Sequence, residues 1–157
     1  MNGNLRIRPS NKDDARLLFD WRNDKDTRAM SGSTAPLVWE SHLEWFTKVL
    51  SGGFPGRSIY IVETEEGEPV GTVRSDERKD GFTEVSYTVA PVWRGKGVGK
   101  RMVLQFAREK PEGKKLAARI KKGMNPASEA IARSLGLQPF SETPSDNANE
   151  PPVVEWR

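Results

Sequence analysis

The 157-residue sequence contains no cysteine, which excludes disulfide bonds, thiolate nucleophiles and zinc–thiolate centres. It has a single histidine, so a histidine-rich site is excluded as well, and we expect no bound metal. No apolar run approaches the roughly 20 residues of a transmembrane helix, and the first residues lack the apolar core of a signal peptide. From these absences we expect a cytoplasmic protein with no membrane partner.

The remaining composition fits one globular domain covering residues 1–157. Hydrophobic residues make up 35% and charged residues 30% of the chain, and a chain of this length can bury a core. The formal net charge is +3, with basic clusters near residues 94–101 and 114–122. This charge suits a phosphorylated cofactor as well as nucleic acid. No aromatic residue is interleaved with the basic runs, so nucleic acid is the weaker interpretation.

The most informative stretch covers residues 85–107 and predicts a strand, a glycine-rich turn and a helix. Val85, Tyr87 and Val89 alternate with polar residues, which is the period of a half-buried strand, and Pro91 ends it. Apolar residues then recur at helical spacing over 98–107. A helix N-terminus presents unpaired N–H groups and partial positive charge, and glycines let the backbone approach a bulky anion. The pattern predicts a phosphate or pyrophosphate site in the turn.

Two common phosphate-binding motifs do not fit this turn. The P-loop pattern needs a glycine and a Ser or Thr where the chain has Arg94 and Arg101. The dinucleotide fingerprint needs a third glycine where the chain has Lys100. The pattern that does fit is Arg/Gln-x-x-Gly-x-Gly, formed by Arg94, Gly97 and Gly99. It resembles the acetyl-CoA signature of the GNAT N-acetyltransferase superfamily.

The order of predicted elements resembles the GNAT fold over most of the chain. The sequence predicts a first strand at Leu5–Pro9, a helix that is capped by Ser10 or Asn11 and runs to about Asp24, a loop, and a second helix from Pro36. The apolar stripe of this second helix would consist of Trp39, Leu43, Phe46 and Leu50. Three strands follow, at 57–63, at 69–75 and from about 83, and then the helix after the glycine turn, a break at 111–114, a strand at 115–122, a helix from Asn125, a mobile loop over 141–152 and a last edge strand at 153–157. The resemblance implies a mixed α/β fold of the α+β type. A central, mostly antiparallel twisted sheet of six or seven strands would be flanked by about four helices.

Two segments resemble one branch of the superfamily most closely. They are Trp21-Arg22-Asn23-Asp24 and the ending from Asn125 to Leu137, and the strand Leu5–Pro9 resembles the same branch. The branch contains ribosomal-protein N-terminal acetyltransferases and nucleotide-sugar amine acetyltransferases, and the first segment favours the amino-sugar enzymes.

The resemblance implies acetyl-CoA as co-substrate. The main chain of Val89 would bond the pantetheine arm, the turn amides would hold the pyrophosphate, and Asn125 would contact the arm. The complete set of candidate cofactor residues is Val89, Arg94, Gly95, Lys96, Gly97, Val98, Gly99, Lys100, Asn125 and Ser128. Asn125 is equally well placed as a plain helix cap, and the two roles are compatible.

Two residues are candidates for catalysis. Glu84 matches the glutamate that acts as base in some family members, although a solvated strand end is the alternative. Ser128 matches the serine proposed in this branch to protonate the thiolate, and helix capping is its alternative role. Ala132 stands where many GNAT enzymes have a tyrosine acid, so that acid is missing. Strand alternation places Tyr87 on the face opposite Glu84.

Acceptor recognition is assigned to the first helical segments. The candidate substrate-binding residues are Trp21, Arg22, Asn23, Arg28 and His42. An arginine pair could grip a nucleotide-sugar phosphate or a peptide carboxylate. In the alternative interpretation Trp21 belongs to the core, the arginines are solvated, and His42 is a surface or partly buried histidine.

The sequence therefore predicts an acetyl-CoA-dependent N-acetyltransferase that acts as a monomer or homodimer. The acceptor would be a primary amine on a nucleotide-linked amino sugar, a small molecule or a protein N-terminus. It would attack directly in a ternary complex. A GNAT-like acyl-CoA-binding module with weak catalysis is the alternative that Ala132 keeps open, and a basic nucleic-acid-binding domain is a further one.

Overall fold

The computed structural model describes residues 4–31, 34–109 and 115–157. Over these ranges the chain forms seven strands and five α-helices, in the order β1 (Arg6–Pro9), α1 (Ala15–Asn23), α2 (Lys25–Met30), α3 (Trp39–Leu50), β2 (Arg57–Glu63), β3 (Pro69–Glu77), β4 (Phe82–Val89), α4 (Val98–Glu109), β5 (Lys115–Lys121), α5 (Pro126–Ser134), β6 (Pro139–Thr143) and β7 (Val153–Trp156). Short 3-10 turns precede α1 and follow β4. The break predicted at 111–114 lies outside the described residues.

The seven strands form one sheet in the order β1-β2-β3-β4-β5-β7-β6. Its only parallel pair within the described residues is β4 with β5, which pair over Phe82–Glu84 and Lys115–Ala117. Beyond Ala117, β5 pairs with β7 instead. The two central strands therefore diverge, and we call the opening between residues 85–89 and 118–121 the fork.

Cross-strand register assigns side chains to the two faces of the sheet, since directly opposed residues share a face. Val73 lies opposite Tyr87, and Arg74 lies opposite Ser86. The first pair belongs to the face that α4 covers, because Val73 packs in a cluster with Met102. We call this the α4 face.

Helices α1 and α3 cover the other side, which we call the α1 face. Ile59 is opposite Arg74, and its cluster contains Leu18 from α1 and Phe46 from α3. A third cluster packs α5 against β5 and β7 through Ile120, Ala132 and Trp156. The sheet is thus covered on both faces, as the sequence predicted. None of the helices described is long and apolar enough to cross a bilayer.

Two segments predicted as loops are ordered elements. Residues 25–30 form α2, because the Asp24 carboxylate accepts from Asp26 N–H and Thr27 N–H and caps the helix. Residues 139–143 form β6, so the loop predicted over 141–152 is wrong for its first three residues. This edge strand has only exposed side chains and is formed by pairing with β7. The prediction that the last strand lies at the edge of the sheet is therefore wrong, because β6 lies outside β7.

The predicted stripe on α3 is wrong by about one position. Its buried residues are His42, Phe46 and Val49, whereas Leu43 and Leu50 are exposed. The helix also begins at Trp39, three residues after Pro36. It is turned so that His42 packs against Phe19 of α1.

Candidate active site

The glycine-rich turn leads directly into α4 at one end of the fork. Gly95 and Gly97 have φ angles of 74° and 73°, a left-handed conformation that glycine adopts without steric cost. A Cβ on either residue would meet no atom within 4 Å. Gly99 is different, because a Cβ there would lie 3.0 Å from a ring carbon of Tyr87. The first two glycines shape an open turn, and the third lets α4 lie close to β4.

The first turn of α4 presents free backbone donors. Within the described residues its first backbone hydrogen bond runs from Arg101 N–H to the Gly97 carbonyl, at 3.3 Å. The N–H groups of Val98, Gly99 and Lys100 have no acceptor in that part of the chain. Free amides, the helix dipole and an open glycine turn fit a pyrophosphate group.

The β4 edge of the fork also carries free main-chain groups. Ala90 N–H donates to the Val70 carbonyl at 2.8 Å, so alternation turns the N–H and C=O groups of Tyr87 and Val89 away from β3. They point toward β5, which is no longer paired with β4 at these residues. An extended chain such as pantetheine would find a strand-like edge there, as a peptide does when it adds to a sheet.

The structure shows which of Asn125 and Ser128 caps α5, a role that the sequence left open for both. The Asn125 side chain accepts from Ser128 N–H at 3.1 Å and caps α5. The Ser128 hydroxyl is therefore not the cap, and it lies 2.8 Å from the Tyr87 hydroxyl. Burial raises the pKa of Tyr87, and the bond to Ser128 opposes this in part. The phenol keeps its proton at neutral pH, so two neighbouring protonated hydroxyls lie on the α4 face.

Glu84 stands at the vertex of the fork, in the last residue pair that joins β4 to β5. It shares the α1 face with Asp76, its partner on β3. Its carboxylate lies 3.4 Å from Arg78, which also binds Glu155 at 2.9 Å, and the Glu84 side chain is 26% exposed. The prediction that Tyr87 faces away from Glu84 is confirmed.

Arg94 is turned away from the glycine turn and toward α2. Its guanidinium lies 2.7 Å from the Asp24 carboxylate and 2.8 Å from the Thr27 hydroxyl. The bond from Arg94 lowers the pKa of Asp24. At the other end of α2, Lys121 of β5 donates to the Ala29 carbonyl at 3.0 Å. Helix α2 is thus tied to both sides of the fork.

Four of the five candidate acceptor residues are occupied by structural contacts. Trp21 is 6% exposed and His42 is 3% exposed, so neither offers surface to a ligand, and the expectation of a surface or partly buried His42 is wrong. The Asn23 side chain accepts from Leu37 N–H at 2.8 Å. Arg28 donates to the carbonyls of Asn23 and Thr34. Arg22 contacts Trp45 and His42 and, like Arg28, is partly buried.

Sequence reasoning missed the contact between Tyr87 and Ser128, although both residues were considered. Alternation along β4 already placed Tyr87 on the face away from Glu84. The reach of its ring to α5 depends on how closely α4 and α5 approach the sheet, which local patterns do not reveal.

A surface cavity of about 550 Å³ lies beside Glu65, Glu68, Trp93 and Lys96. It contains none of the fork residues. Its lining includes three glutamates, which would repel a pyrophosphate, so we do not assign the cofactor to it.

Comparisons with known proteins agree with this geometry. The family model described as "Acetyltransferase (GNAT) domain" matches residues 4–138, whereas no curated protein gives a significant match. Among solved structures, spermidine N-acetyltransferase from Vibrio cholerae, in complex with CoA and spermine, has a TM-score of 0.83 at 15% identity, over 97% of this chain and 93% of that one. Ribosomal-protein-alanine N-acetyltransferase from Brucella melitensis has a TM-score of 0.76 at 24% identity, over 96% and 97%. The protein yncA from Salmonella typhimurium, solved with acetyl-CoA, has a TM-score of 0.75 at 21% identity, over 98% and 92%.

Proposed function

The chain belongs to the GNAT acetyltransferase family, and on this premise we propose that it transfers the acetyl group of acetyl-CoA to a primary amine by direct attack in a ternary complex. The observation that carries the proposal is the fork. An unpaired strand edge on β4 runs toward the free amides of α4, so one extended ligand with a pyrophosphate end would satisfy both.

The residues of the turn and of β4 would hold the co-substrate. The amides of Val98, Gly99 and Lys100 would bind its pyrophosphate, and the main chain of Val89 would bind its arm. Acetyl-CoA supplies an acyl group activated as a thioester. Arg94 would act less directly than the sequence suggests, because its guanidinium is engaged by Asp24.

Two groups on opposite faces of the sheet would handle the protons. Glu84, on the α1 face, would take a proton from the attacking amine, directly or through a water. The hydroxyl of Ser128, backed by that of Tyr87 on the α4 face, would give a proton to the departing sulfur. The pair would supply the acid that Ala132 cannot.

The test is release of free thiol from acetyl-CoA over a panel of primary amines. The protein has no cysteine, so a thiol reagent reports only the CoA that is formed. We expect acceptor-dependent thiol release and a matching acetylated amine by mass spectrometry. Tight CoA binding without turnover of any amine would instead favour an acyl-CoA-binding module.

A matched pair of glycine variants tests the position of the cofactor. Gly97→Ala places a methyl group on the open side of the turn, and Gly52→Ala is its control, because Gly52 has a φ of 83° and equally open surroundings after α3. Both variants carry a similar backbone cost of about 1–2 kcal/mol. We expect calorimetric CoA affinity to fall in the first only. Equal affinities in the two variants would argue against pyrophosphate binding at this turn.

A further inference from the structure

Arg22 is a partly buried arginine with no carboxylate partner among the described residues. Its guanidinium carbon lies 4.2 Å from the centre of the Trp45 ring, and one nitrogen donates to His42 Nδ1 at 3.1 Å. These two contacts fix the orientation of the guanidinium plane, and its other N–H groups have no acceptor among the described residues. A guanidinium withdrawn from water without a counter-charge is costly, and a bound anion would remove that cost.

Two more arginines lie on the same face as Arg22. The Arg57 guanidinium carbon lies 4.9 Å from the centre of the Phe54 ring, and Phe54 packs against the same cluster as Trp45 and Ile59, the residue opposite Arg74. Burial lowers the pKa of Arg22, and the positive charges of Arg74 and Arg57 act in the same direction. Arg57 and Arg74 share a single carboxylate, since they contact the two oxygens of Asp76 at 2.7 and 2.9 Å. Three guanidiniums against one carboxylate leave a surplus of two positive charges. We call these three arginines the arginine cluster.

The cluster lies beside the vertex of the fork. Arg57 is opposite Asp76, which is opposite Glu84. Directly opposed residues in a sheet are about 5 Å apart, so Glu84 lies within reach of the same small ligand. Next to this row, Arg74 is opposite the exposed Ser86. The side chains of Arg57 and Arg74 are 22% and 34% exposed, so solvent reaches them.

We propose that the acceptor is a primary amine that also carries an oxyanion, either a carboxylate or a phosphate, and that Arg22 binds this group with Arg57 and Arg74. The inference rests on the proposed acetyl transfer and names its substrate class. Arginine binds a planar carboxylate or a phosphate through paired N–H donors. A polyamine would be disfavoured, because its ammonium groups would meet the surplus positive charge of the cluster.

Acceptors paired by the presence or absence of the anion provide the test, and each kcat/KM is expressed per concentration of unprotonated amine, because the carboxylate of L-alanine also raises the pKa of its amine. L-Alanine and L-alaninamide form the carboxylate arm, glucosamine 1-phosphate and glucosamine form the phosphate arm, and spermidine is the cationic comparison. We expect kcat/KM for the anionic member of at least one pair to exceed that of its neutral partner about tenfold or more. The arm with the larger ratio identifies the anion. Ratios clearly below tenfold in both pairs, or a preference for spermidine, overturn the proposal.

Variants of α1 separate anion binding from general damage. Arg22→Gln removes the charge. Arg16→Gln is its control, because Arg16 likewise stacks on a tryptophan of α3, Trp39, but its one carboxylate partner among the described residues is the exposed Asp20. We expect Arg22→Gln to remove the preference for the anionic acceptor, chiefly through KM. In Arg16→Gln the KM for acetyl-CoA and the rates with both acceptors should stay within about twofold of wild type. An unchanged preference in Arg22→Gln, or an equal loss in Arg16→Gln, contradicts the assignment.

A binding measurement distinguishes failure of this inference from failure of the acetyl-transfer proposal. Sodium phosphate is titrated into protein saturated with CoA, so that the amides of α4 are already occupied, and the unfolding temperature is followed at constant ionic strength. If no amine is turned over, acetyl transfer fails while this titration still reports on the anion site. A rise in unfolding temperature that Arg22→Gln abolishes and Arg16→Gln retains supports the site. The absence of any rise, or an equal rise in both variants, overturns it.

Discussion

The hydroxyls of Tyr87 and Ser128 meet at 2.8 Å although the two residues are 41 positions apart in the chain. Ser128→Ala removes one of them and keeps the N–H that Asn125 accepts, so the cap of α5 remains. If the pair protonates the departing sulfur, kcat should fall about a hundredfold or more. Tyr87→Phe should cost less, since the Ser128 hydroxyl persists. Thiol release at saturating acceptor measures both, and a wild-type kcat in Ser128→Ala would remove the pair from the mechanism.

His42 gives a second prediction for a single residue. Its two partners define a neutral ring, because Arg22 can only donate to Nδ1 and the Ala15 carbonyl can only accept from Nε2, at 2.9 Å. Burial lowers the pKa of His42, and the charge of Arg22 adds to this. As the only histidine of the chain, it should give one imidazole signal in an NMR titration of protein without a histidine tag. We expect its midpoint below the ordinary value of about 6.5.

The lowered pKa of His42 also makes the stability of the protein depend on pH. The unfolded chain takes up a proton near pH 6.5, whereas the folded chain resists it. The contribution of His42 is therefore fully present above that pH and declines as the pH falls toward the lower, folded-state pKa. The free energy of unfolding, measured with urea at pH 7 and at more acidic pH, should fall with pH for this reason. In His42→Gln the same fall should be smaller. A midpoint at or above 6.5 in the NMR titration would be incompatible with both expectations.

Single residues also show which features of the site could be predicted from the sequence. The glycine turn was predictable, because backbone conformation at Gly95 and Gly97 is a local property that glycine itself encodes. The roles of Trp21 and His42 were not, since burial depends on which side of each helix meets the sheet. Periodicity defines an apolar stripe on α3, but it leaves the rotation of the helix about its own axis uncertain by about one residue. Leu43 was therefore predicted to be buried, whereas the buried residue is His42.

At the scale of elements, α2 links the two sides of the fork and depends on Asp24. One carboxylate oxygen of Asp24 accepts from Thr27 N–H at 3.1 Å and from Arg94 at 2.7 Å. Asp24→Ala removes the cap and the link together, so we expect a loss of about 1–2 kcal/mol of unfolding free energy. Asp20→Ala is the control, since Asp20 makes one exposed i,i+4 pair with Arg16, and it should cost about 0.3–0.5 kcal/mol.

Hydrogen exchange gives the local readout for the same pair of variants. Amides of residues 27–30 should exchange faster in Asp24→Ala and remain unchanged in Asp20→Ala. Asp24→Asn keeps an acceptor for the cap but loses the charge opposite Arg94, and its stability should lie between the two. Equal losses in Asp24→Ala and Asp20→Ala would mean that the cap and the link contribute little.

The elements that the sequence predicted are those that carry their own periodic signal. Strand β2 falls at 57–63 as predicted, and α4 begins at Val98 after the glycine turn. Helix α2 had a signal, an Asp cap with an acidic first turn, but its six residues are too few for an apolar stripe. Strand β6 has no alternation to detect, because it is exposed on both faces and exists through its ladder with β7.

For the molecule as a whole, the fork places the two proposed substrates on different faces of one sheet. The glycine turn, α4 and Ser128 lie on the α4 face, whereas Glu84 and the arginine cluster lie on the α1 face. Only where β4 and β5 separate can groups from the two faces meet without crossing a hydrogen-bonded ladder. The parallel pairing of residues 82–84 with 115–117 closes the fork at Glu84, so strand register would set the position of the reaction centre that we propose.

This arrangement predicts the kinetic mechanism. The chain has no cysteine, and the hydroxyl pair lies on the α4 face, whereas the acceptor site that we propose lies on the α1 face, so we expect the acetyl group to pass directly from the thioester to the amine. Both substrates must be bound before the amine can reach the thioester across the fork. We expect initial rates at varied acetyl-CoA and amine to give intersecting double-reciprocal lines, and protein incubated with acetyl-CoA alone to keep its unmodified mass. Parallel lines together with a stoichiometric acetylated protein would require a covalent carrier, and transfer across the fork would then have to be abandoned.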